Sequence, residues 1–239
     1  MGPQAGFDLA SKITAATSAK TDQDHHSVIV FSFPADMPDR TAFLLGRTGI
    51  NPADALAKQL ITLADMNVDV AAIACNTAHA PPIFKQLKSA IENNGMRLQL
   101  LNLIEETVDY IRRIHPSIKR VGILGTRGTY QFRLYDIALE RAGLNVILPD
   151  ETVRNESVFR AVYDTGFGIK KYSNPVTEKA REHVEKAIVH LIEKKAEVVI
   201  LGCTELPLAF ALVPSKQQTL LIDPAVAMAQ ALIRFAETR

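Results

Sequence analysis

AEVVILGCTELPLA, residues 196–209, and AAIACNTAHAPP, residues 71–82, decide the fold. Each stretch runs an apolar segment, typical of a buried strand, into a cysteine. A threonine-containing turn follows, with a proline at a predicted helix start. The two stretches therefore predict that the chain holds two internal copies of one α/β unit, with Cys75 and Cys203 in equivalent positions.

Apolar runs alternate with amphipathic stretches along the chain. The runs are rich in Val, Ile and Leu, as expected of strands in a parallel sheet that is covered on both faces. The predicted strands are SVIVFSF (27–33), VDVAAIAC (68–75), RLQLLNL (97–103), RVGILGT (120–126), AEVVILGC (196–203) and TLLID (219–223). The predicted helices include residues 53–67, 81–94, 130–143 and 176–196. This alternation predicts an α/β protein with two pseudo-symmetric three-layer α/β/α domains, mostly parallel sheets and an active site in the cleft between them.

The repeat also predicts domain boundaries and an unusual start. We expect residues 1–103 and 221–239 to form the N-terminal domain and residues 104–220 the C-terminal domain. VGILGTRGT lies about 80 residues ahead of Cys203, so its counterpart ahead of Cys75 would fall before residue 1. We therefore expect the first domain to lack its opening strand, as after an N-terminal truncation or a wrongly chosen start codon.

Composition narrows the class of partner. The 239 residues are 47% hydrophobic and 22% charged, which suits a chain with ample core, and the net charge of +1 gives no field that would gather nucleic acid or anionic lipid. No apolar run reaches the roughly 18 to 20 residues needed to span a bilayer. We therefore expect a cytoplasmic protein with a small-molecule partner, no nucleic acid and no membrane, and with both cysteines reduced.

The two cysteines are the candidate catalytic residues. Each is predicted to sit where a strand ends and a helix begins, which is the ligand-binding side of an open α/β sheet. Helix N-termini favour anions, so we expect a lowered thiol pKa at each position. A single strand-end cysteine is more often a space-filling core residue. Two in equivalent positions instead suit proton removal from one face of a carbon and proton delivery to the other, with coupled titrations.

Six motifs carry a family resemblance. They are DQDHHS (22–27), MPDRTAFLLG (37–46), ACNTAHA (74–80), LGTRGT (124–129), LGCTE (201–205) and LLIDP (220–224). In order and spacing they resemble the motifs of the cofactor-independent aspartate/glutamate racemase family, and aspartate racemases in particular. The resemblance implies two α/β domains, a PLP-free two-base mechanism through Cys75 and Cys203, and a homodimer. The family's opening strand and glycine-rich loop are absent except for residues 1–3, which puts the activity of the chain in question.

The same resemblance implies a set of substrate-binding residues. Arg40 matches the family arginine that grips a substrate carboxylate, for which a guanidinium fork is suited; the alternative is an exposed loop arginine. Lys170 matches the lysine that faces the side-chain carboxylate, with Lys171 as a rival and a solvated loop charge as the alternative.

Five polar residues complete the predicted substrate-binding site. Asn76, Thr77 and Thr204 follow the cysteines and can donate hydrogen bonds to the α-carboxylate and the developing enolate, or simply cap helices. Thr126 and Thr129 match the family's polar turn at the active site, or form an ordinary turn.

Other residues are left outside the predicted site. Glu205 stands where many glutamate racemases have histidine, which favours aspartate as substrate, but an acidic first-turn residue explains it equally. His79 is four residues after Cys75, yet the prolines at 81 and 82 weaken a metal-binding interpretation. No nucleotide-binding glycine motif is present. We therefore predict neither metal nor cofactor.

Three hypotheses follow. The first is an aspartate racemase. The second keeps the fold and changes the reaction: a glutamate, broad-specificity or hydantoin racemase, a maleate isomerase-like enzyme, or an arylmalonate decarboxylase, although decarboxylases need one cysteine where this chain has two. The third is a truncated, inactive protein that binds acidic amino acids.

Overall fold

The computed structural model describes residues 1–210 and 220–238. The chain forms two compact units. Unit 1 contains Met1–Glu106 and Ala225–Arg239, and unit 2 contains Thr107–Pro224. The strands of both units together are β1 (Val70–Ala71), β2 (Gln99–Leu100), β3 (Arg120–Gly125), β4 (Asn145–Ile147), β5 (Val198–Gly202) and β6 (Leu220–Ile222). The α-helices of both units together are α1 (Pro3–Ala16), α2 (Arg40–Leu44), α3 (Pro52–Asp65), α4 (Pro81–Asn93), α5 (Leu103–Ile114), α6 (Arg127–Gln131), α7 (Leu134–Arg141), α8 (Glu151–Val153), α9 (Arg160–Tyr163), α10 (Glu178–Glu193) and α11 (Pro224–Glu237). A π-helical turn, Arg154–Phe159, joins α8 to α9.

Unit 2 is built on a four-stranded sheet in the order β4-β3-β5-β6. All three pairings are parallel. The register between β3 and β5 places Gly125 beside Gly202, so both strands end at the same edge of the sheet. Every residue of β5 is buried, as expected of a central strand that reads as a continuous apolar run. The predicted α/β class with parallel sheets is therefore confirmed.

Helix α10 shows how the sequence builds the layer over this sheet. Thr177 caps it by accepting a hydrogen bond from the Ala180 amide. Val184, Ile188 and Leu191 recur at helical spacing and are fully buried in the core of unit 2. The helix packs against β3. The prediction of a helix in residues 176–196 is thus confirmed, with ends at Glu178 and Glu193.

Unit 1 contains a smaller sheet, in which β1 and β2 pair in parallel. Helix α3 starts at Pro52 after Asn51, whose side chain accepts a hydrogen bond from the Ala53 amide. A separate core joins α1 to α11, with Leu9 and Met228 among its buried residues. The predicted helices 53–67 and 81–94 correspond to α3 and α4.

The predicted strand at residues 27–33 is wrong. These residues run past the helix α1 without pairing into a sheet. Val28, Ile29 and Val30 are exposed, although their composition is typical of a buried strand. The reason is that a cavity, and not a strand, lies beside them.

The sequence predicts one helix over residues 130–143, but the structure has two helices there. The predicted helix is divided into α6 and α7, because Arg133 adopts a left-handed backbone conformation with φ of 48°. Strand β4, with the sequence NVI, was not predicted, since a run of three residues gives too little periodicity to recognise.

The described residues contain neither a membrane-spanning helix nor a cluster of metal-binding side chains. Within residues 1–210 and 220–238 no helix is long and apolar enough to cross a membrane. The same residues contain no cluster of three or more His, Cys, Asp or Glu side chains that could hold a metal ion.

Candidate active site

Cys203 is the first residue after β5. It is 4% exposed, and its thiol belongs to no disulfide. Gly202 before it has no room for a side chain, because a Cβ atom there would lie 2.9 Å from both the Leu124 carbonyl oxygen and the ring of Tyr135. This close packing fixes the backbone from which the thiol projects.

Glu205 connects this thiol to a lysine. The Cys203 Sγ donates to Glu205 Oε2 at 2.9 Å, and the Lys170 Nζ donates to Glu205 Oε1 at 2.7 Å. The Thr204 hydroxyl also donates to Oε2, at 3.2 Å. One buried carboxylate thus accepts hydrogen bonds from a thiol, a hydroxyl and an ammonium group.

These contacts set the protonation of the group. Burial, and after it the Glu205 carboxylate, raises the pKa of Cys203 well above its ordinary value. Burial alone would raise the pKa of Glu205, but the Lys170 ammonium and the thiol hydrogen bond lower it. Burial acts to lower the pKa of Lys170, but attraction to Glu205 and Cys203, together with the hydrogen bond to Glu205, raises that pKa overall. The resting group is therefore a neutral thiol beside an ionised Glu–Lys pair.

The expectation of a lowered pKa is consequently wrong for Cys203. The residues after it form only a short 3-10 helix, Leu206–Ala209. The favourable field of so short a helix is outweighed by burial and by the adjacent carboxylate. Neither Cys75 nor Cys203 takes part in a disulfide in this structure.

Lys170 reaches Glu205 because the chain folds back after α9. The Gly168 amide donates to the Asp164 carbonyl at 2.8 Å and the Lys170 amide to the Val162 carbonyl at 3.1 Å. A Cβ atom on Gly168 would lie 2.6 Å from the Asp164 backbone, so this return needs glycine. Lys171 points elsewhere, with its ammonium donating to the Thr165 carbonyl at 2.9 Å. The contacts therefore favour Lys170 over Lys171 as the lysine that belongs with Cys203.

Thr126 and Thr129 lie at the neighbouring strand end. Their side chains form a reciprocal cap at the start of α6, with the two hydroxyls 3.1 Å apart. The Thr129 hydroxyl is also 3.5 Å from the Gly202 carbonyl oxygen. Both residues are buried. The GTRGT turn thus lies next to the strand end that carries Cys203, and its hydroxyls have a structural use already.

Cys75 occupies the corresponding position in unit 1, after β1 and directly before the 3-10 helix Asn76–His79. Its Sγ lies 3.7 Å from the Thr77 hydroxyl, and either group can donate. Asn76 and Thr77 are both buried beside it. The two residues that the sequence assigns to substrate binding are therefore adjacent to the thiol.

Arg40 is the first residue of α2. This helix contacts the 3-10 helix Asn76–His79, which places the arginine on the element beside Cys75. The Arg40 guanidinium donates to the Pro38 carbonyl at 3.1 Å. In unit 1 the structure thus brings together the elements that carry Arg40, Cys75, Asn76 and Thr77.

His79 supports the turn that carries Cys75. Its Nδ1 lies 2.9 Å from the Cys75 carbonyl oxygen, so it carries the proton and donates. The ring packs 5.0 Å from that of Phe84, measured between centroids. Burial lowers the pKa of His79 to about 4.

This buried imidazole predicts a pH-dependent stability. Since the folded-state pKa lies below the ordinary value of about 6.5, the unfolded chain binds the proton first as pH falls. The contribution of His79 to the free energy of unfolding is complete above pH 6.5. It is lost progressively as the pH falls to 4, by about 3 kcal/mol in total. Free energies of unfolding measured by urea denaturation between pH 4 and 7 check this loss.

His79→Asn is the informative variant, because its amide nitrogen replaces Nδ1 as donor but does not titrate. We expect the variant to lose most of the pH dependence between 4 and 6.5. His25→Asn, at an exposed position, is the matched control. Equal slopes for wild type and His79→Asn would contradict the assignment.

Glu205 is the residue that sequence analysis left out. Its signal was present, as a carboxylate two residues after a predicted strand-end cysteine, but sequence alone could not separate an exposed first-turn acid from a buried one. The structure shows it 7% exposed and bonded to both Cys203 and Lys170. Chemically, this arrangement holds a proton on sulfur, next to a carboxylate that can accept it and a cation that can bind an anion.

Comparisons with known proteins give a family match and several relatives. Residues 1–232 match the family described as Asp/Glu/Hydantoin racemase. The broad specificity amino-acid racemase RacX of Bacillus subtilis is 26% identical over 216 residues, covering 86% of this chain and 82% of that protein. Glutamate racemase 3 of Caldanaerobacter subterraneus subsp. tengcongensis is 26% identical over 179 residues, covering 73% and 58%. The structure of Picrophilus torridus aspartate racemase is similar with a TM-score of 0.78 and 26% identity, covering 99% of this chain and 90% of that one.

Proposed function

This chain belongs to the Asp/Glu/hydantoin racemase family, and from that premise we propose that it interconverts L- and D-aspartate without PLP, using Cys75 and Cys203 as its two acid–base groups. The coarser statement, a racemase acting on small amino acids, follows from the family itself. The observation that carries the proposal is the contact series from the Cys203 thiol through Glu205 to Lys170.

The proposed reaction needs two groups in opposite protonation states. A thiolate removes the α-proton, and the electron pair of the broken C–H bond is delocalised into the α-carboxylate as an enolate. A thiol on the opposite face then gives its proton to the α-carbon and becomes the new thiolate. Cys203 suits the proton-donor role at rest, because burial and Glu205 keep its pKa high.

Lys170 and Glu205 give this cysteine a way to change roles. In the proposal, a substrate carboxylate binds the Lys170 ammonium and weakens its attraction for Glu205. The pKa of Glu205 then rises, and the carboxylate can accept the proton from Cys203 Sγ, which leaves a thiolate for the reverse direction. Acidic amino acids are the substrates that supply such a carboxylate.

The remaining assignments complete the proposal. Arg40 binds the other carboxylate through its guanidinium group. Asn76 and Thr77 donate to the α-carboxylate as it becomes an enolate, and Thr204 does so through its backbone N–H, since its hydroxyl donates to Glu205. Thr126 and Thr129 support the adjacent turn. Aspartate is preferred to glutamate on the similarity to Picrophilus torridus aspartate racemase, whereas glutamate and broad-specificity relatives define the competing candidates. A homodimer in the cytoplasm belongs to the same proposal.

The test is incubation of L-aspartate and L-glutamate, in separate reactions, with the protein in heavy water without PLP. Chiral chromatography and mass spectrometry of the products measure inversion and α-deuteration together. We expect deuterated D-aspartate to form faster than deuterated D-glutamate. Faster inversion of glutamate, or of neutral amino acids, would replace aspartate as the substrate, and binding without α-exchange would favour the inactive acidic amino-acid binder.

Maleate isomerisation is a second candidate reaction, and a further incubation of the protein with maleate distinguishes it from racemisation. That chemistry uses a cysteine as a nucleophile, so it would leave a succinyl group on one thiol when maleate is supplied. Mass spectrometry of the intact protein detects such an adduct. An adduct without α-exchange of aspartate would overturn the racemase proposal, since proton transfer through thiols requires no covalent intermediate.

A further inference from the structure

Strand β3 extends beyond its neighbour β4 in the sheet of unit 2. The pairing of these two strands ends at Gly122 and Ile147. On its other side β3 pairs with β5 as far as Gly125, which lies beside Gly202, the residue before the candidate catalytic cysteine. Residues 123–125 at the end of β3 therefore need another partner for the backbone groups that point to the β4 side.

Ile123 and Gly125 are the residues whose backbone groups point to that side. The Lys119 carbonyl accepts a hydrogen bond from the Asn145 amide at 2.7 Å, and backbone groups alternate in direction along a strand, so the odd-numbered residues of β3 face β4. If the register continued, β4 would offer the amide of residue 149 to the Ile123 carbonyl. That residue is Pro149, which has no N–H to donate.

The phenol of Tyr130 makes the bonds that β4 does not make. Its hydroxyl donates to the Ile123 carbonyl at 3.2 Å and accepts from the Gly125 amide at 3.0 Å. A further residue of β4 would make the same two bonds with its N–H and its carbonyl. Burial raises the pKa of Tyr130 above its ordinary value, so the hydroxyl keeps the proton that it donates.

The π-helical turn Arg154–Phe159 holds the ring of Tyr130 in this position. The Phe159 ring lies 6.1 Å from the Tyr130 ring, measured between centroids, and the Arg154 guanidinium lies 5.2 Å from the Tyr130 centroid. Single π-helical turns occur frequently at functional sites. The same chain segment continues through α9 into the fold-back that carries Lys170. One segment therefore both fixes Tyr130 and supplies the lysine of the site.

The strand end that Tyr130 secures packs against the backbone next to Cys203. A Cβ atom on Gly125 would lie 2.7 Å from the Thr129 side chain, so glycine allows this threonine to lie against the strand. The Thr129 hydroxyl is in turn 3.5 Å from the Gly202 carbonyl oxygen. A shift of the end of β3 would therefore reach the thiol through Thr129 and Gly202.

We propose that Tyr130 is a positioning residue for Cys203: its phenol completes the end of β3 and so, through Thr129 and Gly202, fixes the thiol relative to the substrate carbon. Resting on the proposed function, in which Cys203 exchanges a proton with the α-carbon, this role involves no contact between Tyr130 and the substrate. Loss of the phenol should therefore slow proton transfer more than it weakens substrate binding.

Tyr130→Phe is the test, because it keeps the aromatic ring and removes both hydrogen bonds. We expect kcat for aspartate racemisation to fall by about 10- to 100-fold while KM stays within about 2-fold. Tyr110→Phe is the matched control, since Tyr110 is also partly buried and its ring lies 5.8 Å from the Arg113 guanidinium. Both variants are assayed well below their Tm. An unchanged kcat in Tyr130→Phe, or a loss confined to KM, would overturn the proposal.

Two readouts do not depend on racemase activity. Without the phenol the Gly125 amide loses its acceptor, and its hydrogen exchange should become about 10-fold faster, whereas exchange at Val121, which β4 pairs, should not change. In a Cys75→Ala background, alkylation of Cys203 by iodoacetamide should also become about 10-fold faster, because local opening of the strand end uncovers this buried thiol.

These readouts separate failure of the positioning role from failure of the proposed function. If the wild type exchanges no α-proton but both readouts change, the proposed function fails and the positioning of Cys203 by Tyr130 stands. Faster exchange at Gly125 with unchanged alkylation of Cys203 would overturn the proposal, since the phenol would then stabilise the strand without acting on the cysteine.

A double-mutant cycle checks the route through Thr129. Thr129→Val keeps the side-chain packing against Gly125 and removes the hydroxyl near the Gly202 carbonyl. If Tyr130 acts through Thr129, the double variant should lose less kcat than the product of the two single losses. Multiplicative losses would overturn the proposal, because the two residues would then act separately.

Discussion

Replacing either cysteine by alanine is expected to lower kcat/KM for aspartate racemisation by about 10²- to 10⁴-fold, the range of a lost general acid or base. Each half-reaction needs one group to take the α-proton and another to return a proton, so neither thiol can substitute for its partner. The measurement is initial inversion rates of L- and D-aspartate for Cys75→Ala and Cys203→Ala. The double variant should be no slower than the slower single variant, because the two groups act in one reaction.

The control for this prediction is folding. Both thiols are buried, so alanine removes some packing, and thermal melts must show that each variant remains folded at the assay temperature. Cys75 and Cys203 are the two cysteines of the chain, so labelling of the remaining thiol in each single variant can be followed without interference. A single variant that inverts aspartate at near the wild-type rate would exclude the two-thiol mechanism.

The strands and helices were predictable from the sequence where hydrophobic periodicity alone determines them. Strands β3 and β5 are continuous apolar runs between helices of clear periodicity, and their predicted bounds differ from the observed ones by at most two residues. Segment 27–33 has the same kind of composition but forms no strand. A strand needs a neighbour to pair with, and a cavity occupies the neighbouring position. The composition of a segment indicates its preference for strand structure, but it does not show whether a neighbouring strand is present to pair with it.

The candidate site was predictable in its residue types and less so in its electrostatics. Cys203 and Lys170 were both identified from the sequence, yet the expected lowering of the thiol pKa failed, because it considered the helix end without the buried carboxylate. The role of Glu205 depends on a 2.9 Å contact with sulfur and on its burial. Its ion pair with Lys170 depends on the fold-back after α9, which no local sequence pattern predicts.

The Cys203–Glu205–Lys170 group predicts opposite changes from its two charged residues. Glu205→Gln removes the carboxylate that raises the pKa of Cys203 and leaves the Lys170 ammonium, so the pKa of the thiol should fall. Lys170→Met removes the cation that lowers it, so the pKa should rise. The pH dependence of iodoacetamide alkylation, followed in a Cys75→Ala background, measures both shifts. A shift of the same sign in the two variants would contradict the assigned electrostatics.

Lys170→Met should also lower kcat/KM for aspartate by about 10- to 100-fold, since a charge-assisted hydrogen bond contributes about 1.5 to 3 kcal/mol. The loss should be greater for aspartate than for any neutral amino acid that the enzyme accepts, because only aspartate brings a side-chain carboxylate to the lysine. Lys171→Met, which removes the neighbouring charge from its contact with Thr165, is the matched control and should leave kcat/KM within about 3-fold of wild type.

Stability separates this effect on the substrate from a loss of structure. Without Lys170 the Glu205 carboxylate remains buried and uncompensated, which costs about 1 to 3 kcal/mol. That is less than for a fully buried pair, because the Lys170 side chain is 32% exposed. Lys170→Met with Glu205→Gln removes both charges and should recover most of the stability without recovering activity on aspartate. Recovery of both together would assign Lys170 a structural role only, since its cation would then be needed for Glu205 and not for the substrate.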